Sequence, residues 1–159
     1  MSLAARELPS LGGVQYIFTG PGGGDIAESG REDVMILGNV PDADLLQALS
    51  RADFGLIMYD DCWSPYFATV IAGKLTTYLL AGVPILCPAR YRSMAEYVQR
   101  SGTGIVIEDY GDIRKLRTRS SPLDGINANV AKEAMRIKYG LHYKEAIMEL
   151  QEFVLDRTP

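Results

Sequence analysis

Gly73-Lys74-Leu75-Thr76-Thr77-Tyr78-Leu79-Leu80-Ala81-Gly82-Val83-Pro84-Ile85-Leu86-Cys87 decides the fold. Leu75, Tyr78 and Leu79 stand at i, i+3 and i+4, the spacing of a short helix with one apolar face. Gly82 can take the left-handed conformation that ends a helix, and Pro84 cannot continue one. Ile85-Leu86-Cys87 is then an uninterrupted apolar run, the pattern of a strand buried on both faces. Lys74 falls in the first helical turn, where the dipole mildly disfavours a cation. Two readings follow. Lys74 is either a solvated first-turn residue or, with the free amides of that turn, part of a site for an anion such as a diphosphate.

Upstream, strands and helices alternate. Val14 to Phe18 is rich in β-branched and aromatic residues and reads as a strand. It runs into Thr19-Gly20-Pro21-Gly22-Gly23-Gly24-Asp25, a glycine loop whose backbone at Gly20 and Gly22 can approach a phosphate closely. Neither the dinucleotide fingerprint nor the lysine-containing phosphate loop is present, so a plain surface turn fits the loop equally well. Val34 to Leu37 is a second strand, closed by Gly38-Asn39-Val40-Pro41. Asp42 is placed to cap a helix near Asp44 to Arg51, whose apolar side carries Leu45, Leu46, Ala48 and Leu49. Phe54 to Tyr59 is the third strand. Asp60 to Ala68 follows as an irregular loop holding Trp63, Tyr66 and Phe67.

Downstream, Ser93-Met94-Ala95-Glu96 matches a capping box, with an apolar stripe of Met94, Tyr97 and Val98 and a stop at Gly102. Gly104 to Ile107 is the fifth strand. A polar connection from Asp109 to Ser121 leaves room for one helical turn around Ile113 and Leu116. From about Asn129 the pattern is helical, with Val130, Ala134 and Ile137 on one face and a break at Gly140. Tyr143, Ile147, Leu150 and Val154 continue it as a stripe that needs covering, which is a route to a homo-oligomer. Strands separated by helices predict an α/β domain, an open parallel sheet with helices on both faces. Ligands in such sheets sit beyond the carboxyl ends of the strands. The Gly20, Gly38 and Tyr59 loops and the start of the Lys74 helix belong there.

Composition narrows the function classes. A length of 159 residues favours one domain with a real core; residues 1–13 are set aside as a tag or linker and 14–159 form the domain. Hydrophobic residues are 47% and charged residues 23% of the chain, an ordinary globular balance. A net charge of −4 argues against a general nucleic-acid partner. Cys62 and Cys87 have no metal-ligand spacing and suggest no disulfide framework, which points to the reducing cytoplasm. No segment reaches the roughly 18 apolar residues of a membrane span.

The order of these parts resembles the C-terminal, donor-binding half of glycosyltransferases built from two facing Rossmann-like domains, the GT-B type. The matching residues are Gly38-Asn39-Val40, Leu45 to Leu49, Ala52-Asp53, Phe54 to Met58, and the lysine-led helix from Lys74-Leu75 to Ala81-Gly82-Val83-Pro84. The tail, with Asn129-Val130, Arg136, Gly140 and Ala146-Ile147, is similar to bacterial sugar transferases that modify serine-rich adhesins and to related galactofuranosyl transferases.

That resemblance implies a nucleotide-sugar donor, expected to be linked to UDP. Its base would lie near Gly38 to Val40 and its diphosphate near Lys74 and the Gly20–Gly22 loop, with Tyr59 and Tyr66 as candidates for the wall of the sugar pocket. The family often binds the ribose through a carboxylate five residues before the glycine that closes the central helix. Thr77 holds that position here, and a hydroxyl is not a bidentate acceptor. Thr69 stands where the adhesin-modifying branch often has asparagine. Lys74 and helix amides would stabilise the leaving diphosphate without a metal; no Asp-x-Asp occurs, and Asp60-Asp61 reads as a solvated pair. The catalytic base would come from an N-terminal acceptor domain of a longer chain, and His142 reads as structural or exposed. A noncatalytic nucleotide-binding or regulatory module is the alternative. A sugar-nucleotide epimerase of the same fold is a third reading, without the acidic and histidine constellation that chemistry needs.

Overall fold

A computed structural model describes residues 7–20, 30–59, 69, 71, 73–116 and 123–140. The domain is α/β and Rossmann-like, with every paired strand parallel. Strands β1 (Tyr16–Thr19) and β2 (Val34–Gly38) form one ladder. Strands β3 (Gly55–Leu56), β4 (Ile85–Pro88) and β5 (Gly104–Ile107) form another in the order β3-β4-β5. Helix α1 (Asp42–Leu49) joins β2 to β3, α2 (Gly73–Leu80) precedes β4, and α3 (Arg92–Ser101) joins β4 to β5. A 3-10 turn over Tyr110–Asp112 leads into α4 (Ile113–Leu116), and α5 (Leu123–Lys138) ends the described chain at Gly140.

The centre of the fold is β4, as the apolar run required. Ile85, Leu86, Cys87 and Pro88 are all buried. On one face Ile57, Ile85 and Cys87 pack against Leu75 and Leu79 of α2, Met94 and Val98 of α3, and Val130 of α5. On the other, Met58, Leu86 and Ile107 meet Tyr16, Leu8 and Ile113. Pro88 lacks an N–H, and its position suits that. The β3 ladder ends at Leu56 opposite Leu86, so no donor is needed on that side of Pro88. Gly55 is required by packing: a Cβ there would lie 2.3 Å from Cγ of Tyr78, whose ring crosses β3 and whose hydroxyl donates to the Leu56 carbonyl at 3.2 Å.

Several local expectations are corrected. The third strand pairs over only two residues, although the Ile57 N–H still reaches the Leu86 carbonyl at 2.9 Å. The cap of α1 is Pro41 rather than Asp42, and the cap of α3 is Tyr91 rather than Ser93; neither has a side-chain cap hydrogen bond. Proline presets the dihedral that opens α1, and Tyr91 is fully buried, so packing fixes the start of α3. Helix α5 begins at Leu123, ahead of the expected Asn129. Ahead of β1, Leu8 is buried, and the Leu8 and Pro9 carbonyls accept hydrogen bonds from Arg31 and Tyr16. The expected stripe from Tyr143 to Val154 lies outside the described residues, as do His142, Cys62 and Asp60-Asp61.

Candidate functional site

The carboxyl ends of β1 and β2 are tied directly. Gly20, with φ 105°, donates its N–H to the carbonyl of Gly38, with φ 65°, at 2.7 Å. Both positive dihedrals favour glycine. This bond brings together two of the expected site residues, and it engages the Gly20 amide that was a candidate phosphate donor. Asn39 is exposed beside them and Val40 is half-buried. Gly22 and Tyr66 lie outside the described residues.

The carboxyl ends of β3, β4 and β5 are tied by side chains. Lys74, the second residue of α2, donates from Nζ to the Met58 carbonyl at 3.0 Å, and the same ammonium lies 4.6 Å from the centroid of the Tyr59 ring. The lysine is therefore aimed at the end of β3, and a purely solvated first-turn role does not describe it. Tyr59 meets Tyr91 edge to face, with centroids 5.5 Å apart. The Tyr59 N–H donates to the Tyr91 hydroxyl at 3.1 Å, and the Tyr110 hydroxyl donates to the Ile57 carbonyl at 3.0 Å. Burial pushes the Tyr110 phenol well above its ordinary pKa, so it stays a neutral donor.

A second cation stands on this tyrosine platform. Arg90 follows β4, with its Cζ 4.8 Å from the Tyr110 centroid and 5.5 Å from that of Tyr91. Its Nη2 donates to Oε2 of Glu7 at 2.7 Å. Burial opposes its charge, but the Glu7 hydrogen bond and the neighbouring tyrosine outweigh that and hold it protonated. Arg90, Tyr91 and Tyr110 were not among the expected site residues. A cation just beyond a strand buried on both faces was a usable signal; the tyrosine contacts depend on strand order.

Thr77 donates its hydroxyl to the Gly73 carbonyl at 3.0 Å. With that proton engaged, only the lone pairs of the hydroxyl remain to meet another group. Thr69 is exposed. A shallow hollow of about 800 Å³ lies elsewhere, at the amino ends of β1 and β2, lined by residues that include Ser10, Gln15, Arg31 and Asp33. Its arginine is already paired with Asp33 and the Leu8 carbonyl. Size does not make it the site, since the cations that face strand carboxyl ends are elsewhere. Among the described residues no three His, Cys, Asp or Glu side chains gather as a metal site, and no helix is long and apolar enough to cross a membrane.

The family profile for the Glucosyltransferase 3-like, C-terminal domain matches residues 15–150. The chain belongs to that family. A relative within reach by sequence is Glucosyltransferase 3 of Streptococcus parasanguinis, 30% identical over 69 residues. Those residues are 43% of this chain and 21% of the relative, so the relative is about twice as long. Membership of the Glucosyltransferase 3-like family makes this a glycosyltransferase-related domain. The family match starts one residue before β1 and reaches past α5, so both strand-end clusters lie within it, whereas Glu7 lies ahead of it.

Proposed function

We propose that this chain is the donor-binding half of a two-domain glycosyltransferase that moves a sugar from a nucleoside diphosphate sugar, UDP-linked, to a glycan or protein-linked acceptor. The observation that carries the reading is Lys74, held by the Met58 carbonyl and the Tyr59 ring where the first turn of α2 meets the end of β3. A cation beside the unsatisfied amides of a helix start suits a diphosphate. As the glycosidic bond breaks, negative charge grows on the leaving diphosphate, and a preplaced ammonium stabilises that charge more than it stabilises the ground state. The base would rest near Gly38 to Val40, where the carboxyl ends of β1 and β2 are pinned, and Tyr59 would border the sugar. Thr77 would accept from a single ribose hydroxyl.

The acceptor and its base would come from a facing N-terminal domain, so this chain by itself would transfer no sugar. The relative's greater length supports such a partner. A cytoplasmic setting goes with the reading, since the donors are cytoplasmic metabolites and Cys87 is a free, buried thiol. Calorimetric titration of uridine, guanosine and adenosine diphosphates tests the proposal. Binding by half a site is expected near millimolar, with Lys74→Ala weakening it by about 1.5–3 kcal/mol, the range of a charge-assisted hydrogen bond. Equal affinity in the variant would remove Lys74 from the phosphate contact.

A further inference from the structure

We propose that Arg90 is a second anion-binding group at the carboxyl edge of β4, and that Glu7 occupies it as a stand-in for the ligand's negative charge. The inference rests on the donor reading above and names a further contact for the same diphosphate. Three observations lead to it.

First, Arg90 is underused. Glu7 takes one hydrogen bond from Nη2, whereas Nε is buried without a hydrogen-bond partner among the described residues. A guanidinium offers five donors in a planar fork suited to phosphate oxygens, and Glu7 together with the neighbouring Tyr110 hydroxyl leaves part of that fork unmatched. Second, the guanidinium is preplaced. Cation–π contact with Tyr110 and Tyr91 holds it in place, and Tyr91 also supports Tyr59, on which Lys74 lies. The two cations therefore share one aromatic platform at the ends of neighbouring strands. Third, the pair can be opened. The Arg90 and Glu7 side chains are 29% and 30% exposed, so water and a small anion reach both. Part-exposed ion pairs are weak, and a doubly charged phosphate competes well against one carboxylate.

Glu7 lies 83 residues from Arg90 in sequence and belongs to the segment ahead of β1. Displacing it would leave that segment's remaining anchors, the Leu8 and Pro9 carbonyls, in place. Ligand entry at Arg90 therefore trades one side-chain contact and needs no rearrangement of the sheet.

The test is a double-mutant cycle on the 159-residue chain, with UDP and inorganic pyrophosphate as probes and affinity as the readout. Glu7→Gln keeps the side-chain shape and removes the competing charge; affinity is expected to rise about three- to tenfold. Arg90→Ala should lower it about tenfold, and Glu7→Gln added to Arg90→Ala should then have no effect. Thermal melts of each variant establish that it is folded, and Arg90→Lys serves in place of a poorly folded Arg90→Ala, with loss of the Glu7 effect again expected in part. Unchanged or weaker binding in Glu7→Gln overturns the proposal. So does an equal gain with and without Arg90, which would mean a general charge effect, and so does an absence of binding in every variant. A Lys74→Ala variant that binds like the parent, beside an intact Glu7–Arg90 coupling, would remove the Lys74 assignment and leave this one standing.

Discussion

Strands β1 and β4 look alike in sequence and sit differently in the fold. Tyr16-Ile17-Phe18 and Ile85-Leu86-Cys87 are both unbroken apolar runs. In β4 every residue is buried, with helices on one side and the Tyr16 cluster on the other. In β1 only Tyr16 is buried, while Ile17 is 47% exposed beside its register partner Met35 at 41%. An apolar run shows that a strand is there; how many faces are covered depends on its neighbours. The more heavily packed ladder also carries the two cations at its carboxyl edge, where a rigid base holds them in place.

Truncation should separate the two ladders most sharply. Leu79, fully buried against β4, should lose about 3 kcal/mol on Leu79→Ala in denaturant unfolding, whereas Ile17→Ala should cost under about 1 kcal/mol. Comparable losses would mean that the exposed face of β1 is covered in solution. A smaller effect is expected from enlarging a contact inside the β3–β5 ladder. Gly55→Ala puts a methyl group into the Tyr78 ring and should destabilise by about 2 kcal/mol; pairing it with Tyr78→Ala should recover part of the loss.

The smallest effect belongs to the other ladder and depends on pH. The hydrogen bond from Arg31 holds the Asp33 carboxyl at about 2, below its ordinary 3.8. A carboxylate with a lowered folded pKa contributes stability that is fully present above its unfolded value and is lost as pH falls through the folded one. Parent protein should therefore lose more stability than Asp33→Asn between about pH 5 and pH 2 in thermal melts. Parallel curves would mean that the Arg31–Asp33 pair at the amino ends of β1 and β2 does not couple to folding.

Much of this architecture was legible in the residues. Apolar spacing located α2 and β4, and Gly82 and Gly102 take the left-handed conformation expected where their helices stop, at φ 76° and 65°. The caps were not legible, because Pro41 and Tyr91 act through ring geometry and burial where the sequence offered Asp42 and Ser93 as hydrogen-bonding caps. Within the candidate site, helix register put Lys74 in the first turn of α2 and left a solvated and an anion-binding role both open. Its aim at Met58 and Tyr59 was not legible, and neither was the placement of Arg90 on Tyr110, since both contacts join segments distant in sequence.

Amide NMR mapping of a UDP titration tests the central claim most directly, since it reports where the ligand lands as well as whether it binds. Localised shifts are predicted at Gly38 to Val40, Tyr59, Gly73 and Lys74, with loss of the Gly73 and Lys74 shifts in Lys74→Ala. Shifts confined to Ser10, Gln15, Arg31 and Asp33 around the hollow at the amino ends of β1 and β2, or no localised shift at millimolar ligand, would contradict it.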